Sequence, residues 1–220
     1  MSAVDEDEVS PSEVGANLTG LSVDGLPIAA MFRPNQLGRC QRIFDATIEL
    51  AREGGYDAVQ MRSVAERSSV SIATLYTYFK SRDNLLYRTA ISWNEAVSRR
   101  RVALRDASDP GGGLDRLEDD VVSSLDDYIA NPSLLDMYVR ATLTLDPQVV
   151  ELRRRVLWES WADLHPQLEL LAPDIRAVAP RLLTDTFYSS SLRWAYGQID
   201  LADLVEQMRQ IVRILIRASQ

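Results

Sequence analysis

The stretch that decides the fold runs from Tyr56 to Leu86, YDAVQMRSVAERSSVSIATLYTYFKSRDNLL. Its apolar residues recur at helical spacing in two short blocks separated by a break. Val64 and Ala65 supply the small apolar contacts that let two helices cross closely. Ser68, Ser69 and Val70 make the turn, Val70 being its apolar residue, and Leu75 faces inward from the second block. The spacing predicts short helices over about 61–67 and 71–77, joined as a helix-turn-helix whose second helix suits a DNA major groove. That helix would present Ser71, Ala73, Thr74, Tyr76, Thr77 and Tyr78 near its surface. Small side chains there permit close approach to base edges, and the hydroxyls bond bases or phosphates. Lys80 and Arg82 stand where the next helix begins, in reach of a phosphate backbone, and Arg33, Arg39, Arg42 and Arg62 add positive charge to the same small domain.

Working outward, the charge first seems to argue the other way. The 220 residues carry a formal net charge of −8, which taken evenly would repel nucleic acid. The charge is not even. Met1 to Phe32 hold six acids and no base, Arg33 to Arg101 hold twelve bases and seven acids, and the remainder holds twelve bases and nineteen acids. A basic head is therefore flanked by an acidic tail and an acidic C-terminal part. The single cysteine, Cys40, excludes an internal disulfide framework, and with one histidine, His165, a structural zinc site lacks its ligands. No metal or other cofactor is expected.

The rest of the chain reads as helix. Residues 1–35 are expected to be a mobile acidic extension without the pattern of a signal peptide. Residues 36–82 are expected to form the DNA-binding domain, and residues 83–220 a second helical domain. Cys40, Ile43, Phe44, Thr47, Leu50 and Ala51 form the first stripe, stopped by Gly54 and Gly55. A long helix is predicted from about Arg82 to Arg105, ended by the breaker Asp109 to Gly113. A fifth helix carries Leu114, Leu117, Val121, Leu125 and Tyr128. Asn131-Pro132 and Asp146-Pro147 open helices over about 132–144 and 147–171. Ile175, Val178, Leu182, Thr186, Phe187, Ser190 and Trp194 mark an eighth, which either kinks or starts at Pro180. Leu204, Met208, Ile211, Val212 and Leu215 mark a ninth. The fold class is all-α, with about nine helices. No run approaches the roughly 18–20 apolar residues of a membrane span, so a cytoplasmic protein is expected.

On these residues the sequence resembles the TetR family of transcriptional regulators. The resemblance rests on Val64-Ala65, Val70-Ser71, Leu75-Tyr76, Phe79, Ser81, Arg82-Asp83 and Leu85. Within the family it is most similar to the cholesterol-catabolism repressors, through VQMRSVAERSSV, TLYTYF and the later NPSLLDMYVRATLTLDP. Three positions depart from the family pattern: Ser69 where Gly is frequent, Gln60 where Thr or Ser commonly caps the second helix, and Arg82 in place of Lys. The resemblance implies a ligand-responsive repressor of a palindromic operator that works as a homodimer through its last two helices. It implies operator contacts at Arg39, Gln60, Arg62, Ser71, Ala73, Thr74, Tyr76, Thr77, Tyr78, Lys80 and Arg82. It also implies an apolar effector site between C-terminal helices, lined by Trp93, Val97, Leu125, Tyr138, Thr142, Trp158, Trp161, Leu183 and Phe187. Few cations fall among those side chains, which favours a hydrophobic effector such as a steroid or an acyl-coenzyme A catabolite.

Other readings find less in the sequence. The run Ser189 to Ser191 lacks the Gly-x-Ser-x-Gly setting of a hydrolase nucleophile. His165 precedes Pro166 without partners at ligand spacing and reads as a surface or capping residue. A small all-α enzyme using the apolar pocket, or a helical adaptor binding a partner through its acidic surface, are the alternatives.

Overall fold

The computed structural model describes residues 22–23, 26–27, 34–108, 113–156, 161 and 165–220. Most of the expected acidic extension, part of the breaker at Asp109 to Gly113, and Trp158 lie outside the described residues. Within the extension, Ser22–Val23 (β1) pairs antiparallel with Leu26–Pro27 (β2), a small hairpin that the sequence pattern did not suggest. The remaining elements are helical: α1 Pro34–Ala58, α2 Met61–Ser68, α3 Ile72–Tyr78, α4 Arg82–Ser108, α5 Leu117–Ser123, α6 Asp126–Ala130, α7 Pro132–Thr142, α8 Pro147–Val156, α9 Pro173–Ala195 and α10 Leu201–Ala218. Two 3-10 turns, Leu114–Arg116 and Pro166–Leu170, join them. Among the described residues no helix is long and apolar enough to cross a membrane.

The predicted stripe of α1 is buried in full: Cys40, Ile43, Phe44, Thr47, Leu50 and Ala51 all face inward. The stop at the double glycine is real. Gly54 (φ −163°, ψ 29°) and Gly55 (φ 65°, ψ −156°) leave helical geometry. Only glycine holds the second of these conformations without strain.

Four expectations are corrected. The fifth helix is two pieces, α5 and α6, broken at Ser124-Leu125, where the Leu125 amide donates to Val122 in a tight turn. The helix expected over 147–171 does not continue to its end, because α8 reaches Val156 and Pro166, which lacks an N–H, opens a 3-10 turn instead. His165 is neither on the surface nor a side-chain cap. It is buried, with its ring stacked on Trp161 at 5.5 Å and 23°. The eighth predicted helix, α9, starts at Pro173 and runs on through Pro180. Its buried face is Ala179, Leu183, Thr184, Phe187, Ser190 and Ser191, while Val178 and Leu182 from the predicted stripe are 44% and 38% exposed. So α9 is apolar on two faces, and only one is covered by its own chain. Counting α5 and α6 as one broken element, the described residues hold the nine predicted helices.

Two compact units emerge. The first comprises residues up to Val97 together with Ala130–Arg155, and the second comprises Ser98–Ile129 with Val156–Gln220. In the first, α1 packs against α7 and α2, and α2 against α3. In the second, α9 packs on α10, and α10 on α5. There α10 begins with a reciprocal capping box between Asp200 and Asp203, and Glu118 receives both Arg209 and Arg213.

Candidate nucleic-acid interface

The helix-turn-helix is built by α2, its turn and α3. Val64 and Ala65 are buried where α2 meets its neighbours, and Leu75 is the buried residue of α3. Phe79 follows it into the core, 5.6 Å from the ring of Phe44 on α1. The turn needs a left-handed residue, and Ser69 supplies it at φ 54°, ψ 39°. It is the one non-glycine residue at positive φ among the described residues. The amides of Ser69 and Val70 donate to Glu66 and Ala65, closing α2. Arg42 of α1 adds a donor to the same end, its Nε reaching the Ser68 carbonyl at 3.3 Å. Arg67 ties α2 to α1 through Glu53, 3.1 Å from Nη2 to Oε2.

Ser71 caps α3. Its hydroxyl accepts the Thr74 amide at 3.1 Å and lies 2.8 Å from the Thr74 hydroxyl. Thr77 donates its hydroxyl proton to the Ala73 carbonyl at 2.9 Å. Tyr76 is 47% exposed, and Tyr78 is half-buried with its ring edge-on to Phe79. Ile72 is 46% exposed, although it is one of the largest apolar side chains on the helix. The outward arc of α3 is therefore Ile72, Ala73, Tyr76 and Thr77. Sequence reasoning picked three of these and missed Ile72. The signal was present, because Ile72 stands four residues before Tyr76 and so shares its face.

The predicted cations separate into two sets. Arg39 and Lys80 are exposed, and Arg62 is exposed beside Glu66 at 3.5 Å, one helical turn on. Gln60 begins α2 without capping it by its side chain, which instead donates to the Asp57 carbonyl at 2.9 Å. Arg82, expected at a phosphate, is turned inward. Its guanidinium donates to the carbonyls of Val59 and Tyr56 and lies over the Tyr56 ring, 4.1 Å from the centroid.

This inward turn belongs to a junction that carries no sequence signal. The Arg140 guanidinium of α7 also lies over the Tyr56 ring, 4.2 Å from its centroid, so one ring engages two cations. Arg140 also forks onto Asp57 at 2.7 and 2.9 Å, holding that carboxyl below its usual range. Asp136 accepts the Tyr56 amide at 3.0 Å, and a side chain at Gly55 would sit 2.7 Å from that same carboxylate. Asp83 accepts from the Tyr56 hydroxyl at 2.6 Å and also from the Thr144 hydroxyl. Burial and the neighbouring Asp83 raise the Tyr56 hydroxyl above its ordinary value. Ser81 donates to Asp146 at 2.6 Å, and Asp146 in turn caps α8. The ends that hold the helix-turn-helix, the close of α1 and the start of α4, are thus both bonded to α7 and the loop after it.

The predicted effector residues are all buried where they are described. In the first unit, Trp93 and Val97 lie on α4, while Tyr138 and Thr142 lie on α7, Thr142 donating to the Tyr138 carbonyl at 2.7 Å. The Arg153 guanidinium donates to the Thr142 carbonyl. Burial pushes the neighbouring Tyr87 hydroxyl up, with Tyr138 adding to the rise and Arg153 opposing it. In the second unit, Phe187 meets Trp161 at 6.2 Å and Tyr128 at 5.6 Å, with Leu183 and Leu125 also buried. Tyr128 and His165 join this aromatic group without having been predicted there.

Comparison with known proteins bears on both the head and the C-terminal helices. The family model for bacterial regulatory proteins of the tetR family matches residues 43–89. The HTH-type transcriptional repressor KstR of Rhodococcus jostii is 30% identical over 189 residues, 82% of this chain and 84% of that protein. Its namesake in Mycobacterium tuberculosis is 32% identical over 190 residues, 82% of each chain. Among solved structures, a TetR transcriptional regulator from a Rhodococcus species shares the fold, with a TM-score of 0.66 and 24% identity over 86% of this chain and all of that one.

Proposed function

The chain belongs to the TetR family of bacterial regulatory proteins, and on that premise we propose that it is a homodimeric repressor released from its operator by an apolar small molecule. Operator DNA binding comes with the family, which is one of regulators rather than enzymes. The observation that carries the finer reading is the extent of similarity to the KstR repressors. It spans 82% of this chain, reaching well beyond the helix-turn-helix into the C-terminal helices.

The dimer is assigned to α9 and α10. Val178 and Leu182 on α9 and Ile214 on α10, the last 58% exposed, leave aliphatic surface uncovered by the chain itself. Two heads then enter successive major grooves of a palindromic site about one turn apart. The effector is assigned to the second unit, among Leu125, Trp161, Leu183 and Phe187, with Tyr128 and His165 beside them. Trp93, Val97, Tyr138 and Thr142, also expected in the lining, belong to the first unit and are left out of this assignment, and Trp158 lies outside the described residues. The lining suits a steroid skeleton or an acyl-coenzyme A catabolite, as does the likeness to cholesterol-catabolism repressors. Because α4 runs through both units, it is the lever by which a ligand that prefers wrongly spaced heads depletes the DNA-competent population. The protein acts in the cytoplasm.

The test begins with a duplex selected by the full-length protein from a random pool. It then adds a cholestenone-type steroid, a steroid coenzyme A thioester and a medium-chain acyl-coenzyme A, reading duplex anisotropy and tryptophan emission. At least one probe is expected to shift the emission and release the duplex. Tyr76→Ala is expected to abolish duplex binding while the emission response and dimer mass stay unchanged. Normal affinity in that variant removes α3 as the reading helix, and silence toward all three probes removes the effector class.

A further inference from the structure

We infer that Ile72 determines operator specificity by packing on the methyl group of a thymine, and that α3 reads its site through apolar contact rather than through charged or amide side chains. The inference rests on operator binding, not on the effector assignment. Its starting point is what α3 lacks. The helix is Ile-Ala-Thr-Leu-Tyr-Thr-Tyr from Ile72 to Tyr78, with no Arg, Lys, Asn, Gln, Asp or Glu. The bidentate partners of guanine and adenine, and the acceptors for the cytosine amino group, are therefore missing from the reading helix itself.

Its hydroxyls are also partly committed. Thr77 has given its single proton to the Ala73 carbonyl. Ser71 and Thr74 are bonded to each other, so one of their two protons is used as well. On the exposed arc, Ile72 and Ala73 are apolar, Thr77 presents acceptor and methyl, and Tyr76 offers a hydroxyl beside a large ring. The one apolar feature that distinguishes base pairs in the major groove is the thymine methyl. Ile72 is the residue with the size and exposure to cover it, since nearly half of its surface finds no partner in the chain. The exposed cations that match a polyanion, Arg39, Arg62 and Lys80, all stand off α3. Attraction to phosphate and recognition of bases are thus divided between different side chains.

The experiment uses the full-length protein and the most enriched duplex from a random-pool selection. Each thymine is replaced by deoxyuridine in symmetric pairs, which removes one methyl per half-site and nothing else. Burying one methyl is worth about fourfold in affinity, so one symmetric pair is expected to weaken the wild-type protein about fifteenfold. Ile72→Ala is expected to bind the thymine duplex about fifteenfold more weakly than wild type and to bind thymine and deoxyuridine duplexes alike. Because nearly half of the side chain is already solvated, its melting temperature should stay close to wild type, and this separates a lost contact from a lost fold. The inference is overturned if no deoxyuridine pair weakens the wild-type protein, or if Ile72→Ala keeps the full thymine preference. Failure to enrich any duplex would instead remove the operator-binding premise, and with it this inference.

Discussion

The junction around Tyr56 lies within the first unit and the aromatic group around Phe187 within the second, and each holds its own unit together by a different means. At Tyr56 the contacts are directional: two guanidinium groups on one ring, a phenol and a threonine hydroxyl on Asp83, and a backbone amide on Asp136. At Phe187 they are apolar, with Tyr128, Trp161 and Tyr188 all within 6.2 Å. Directional contacts are satisfied in one geometry and penalise any other. Aromatic packing is also close, yet it loses less when neighbours slide. The proposed reading head is thus held by the first kind of contact, and the proposed effector region by the second.

This contrast can be broken, beginning with the largest effect. Phe187→Ala should destabilise the second unit by about 3–5 kcal/mol, the range for truncating a buried aromatic. Amide exchange should show protection falling on α9 and α10 while α1 to α3 keep theirs. Asp83→Ala strips the acceptor from Tyr56 and Thr144 and should cost about 2 kcal/mol, the weight of a bond to a charged group. Here the protection should fall around α1 and α7. If either variant loosens both units equally, the division of labour is wrong. Asp83→Asn, which keeps the shape but not the charge, sharpens the point by recovering only part of the loss.

Smaller effects probe the head alone. Ser69→Gly relieves the left-handed turn and should stabilise the protein by about 1 kcal/mol, seen as a higher melting temperature with operator affinity intact. Asp45 on α1 gives a pH signature. Burial, aided by nearby Glu49, raises its carboxyl from 3.8 to about 6, against a hydrogen bond from Gln41. The folded chain then holds a proton that the unfolded chain releases between about pH 4 and 6, so this group favours folding more as pH falls through that window. Above pH 6 the ionised carboxylate weighs against the folded state. Asp45→Asn should accordingly raise the melting temperature at pH 7, with the gain gone by pH 4.

Much of this was legible in order of sequence distance. The stripe of α1, the stop at Gly54-Gly55 and the two short helices follow from residues within a turn or two of each other. Ser69 stands in a position where the family pattern favours Gly, and it does take the left-handed conformation. Arg82 was legible as a cation but not as one bonded inward. Its partners are carbonyls 23 and 26 residues away, which no periodicity announces. The same holds for Arg140 and Asp57, 83 residues apart. The second face of α9 was misread because a helical pattern reports which residues are apolar, not which of two apolar faces the chain will cover.

The sequence by itself determined the local conformations, the helix-turn-helix signature and the chemical character of α3, because each depends on neighbours along the chain. It determined the family for the same reason. Only the tertiary structure decided which of those side chains remain outside. It withdrew Arg82 into the junction, turned His165 inward onto Trp161, and left Ile72 and Tyr76 in water. Exposure is set by what the rest of the chain brings against a surface, and that is a long-range outcome. Which side chains of the helix-turn-helix are exposed to solvent therefore became readable only in the fold.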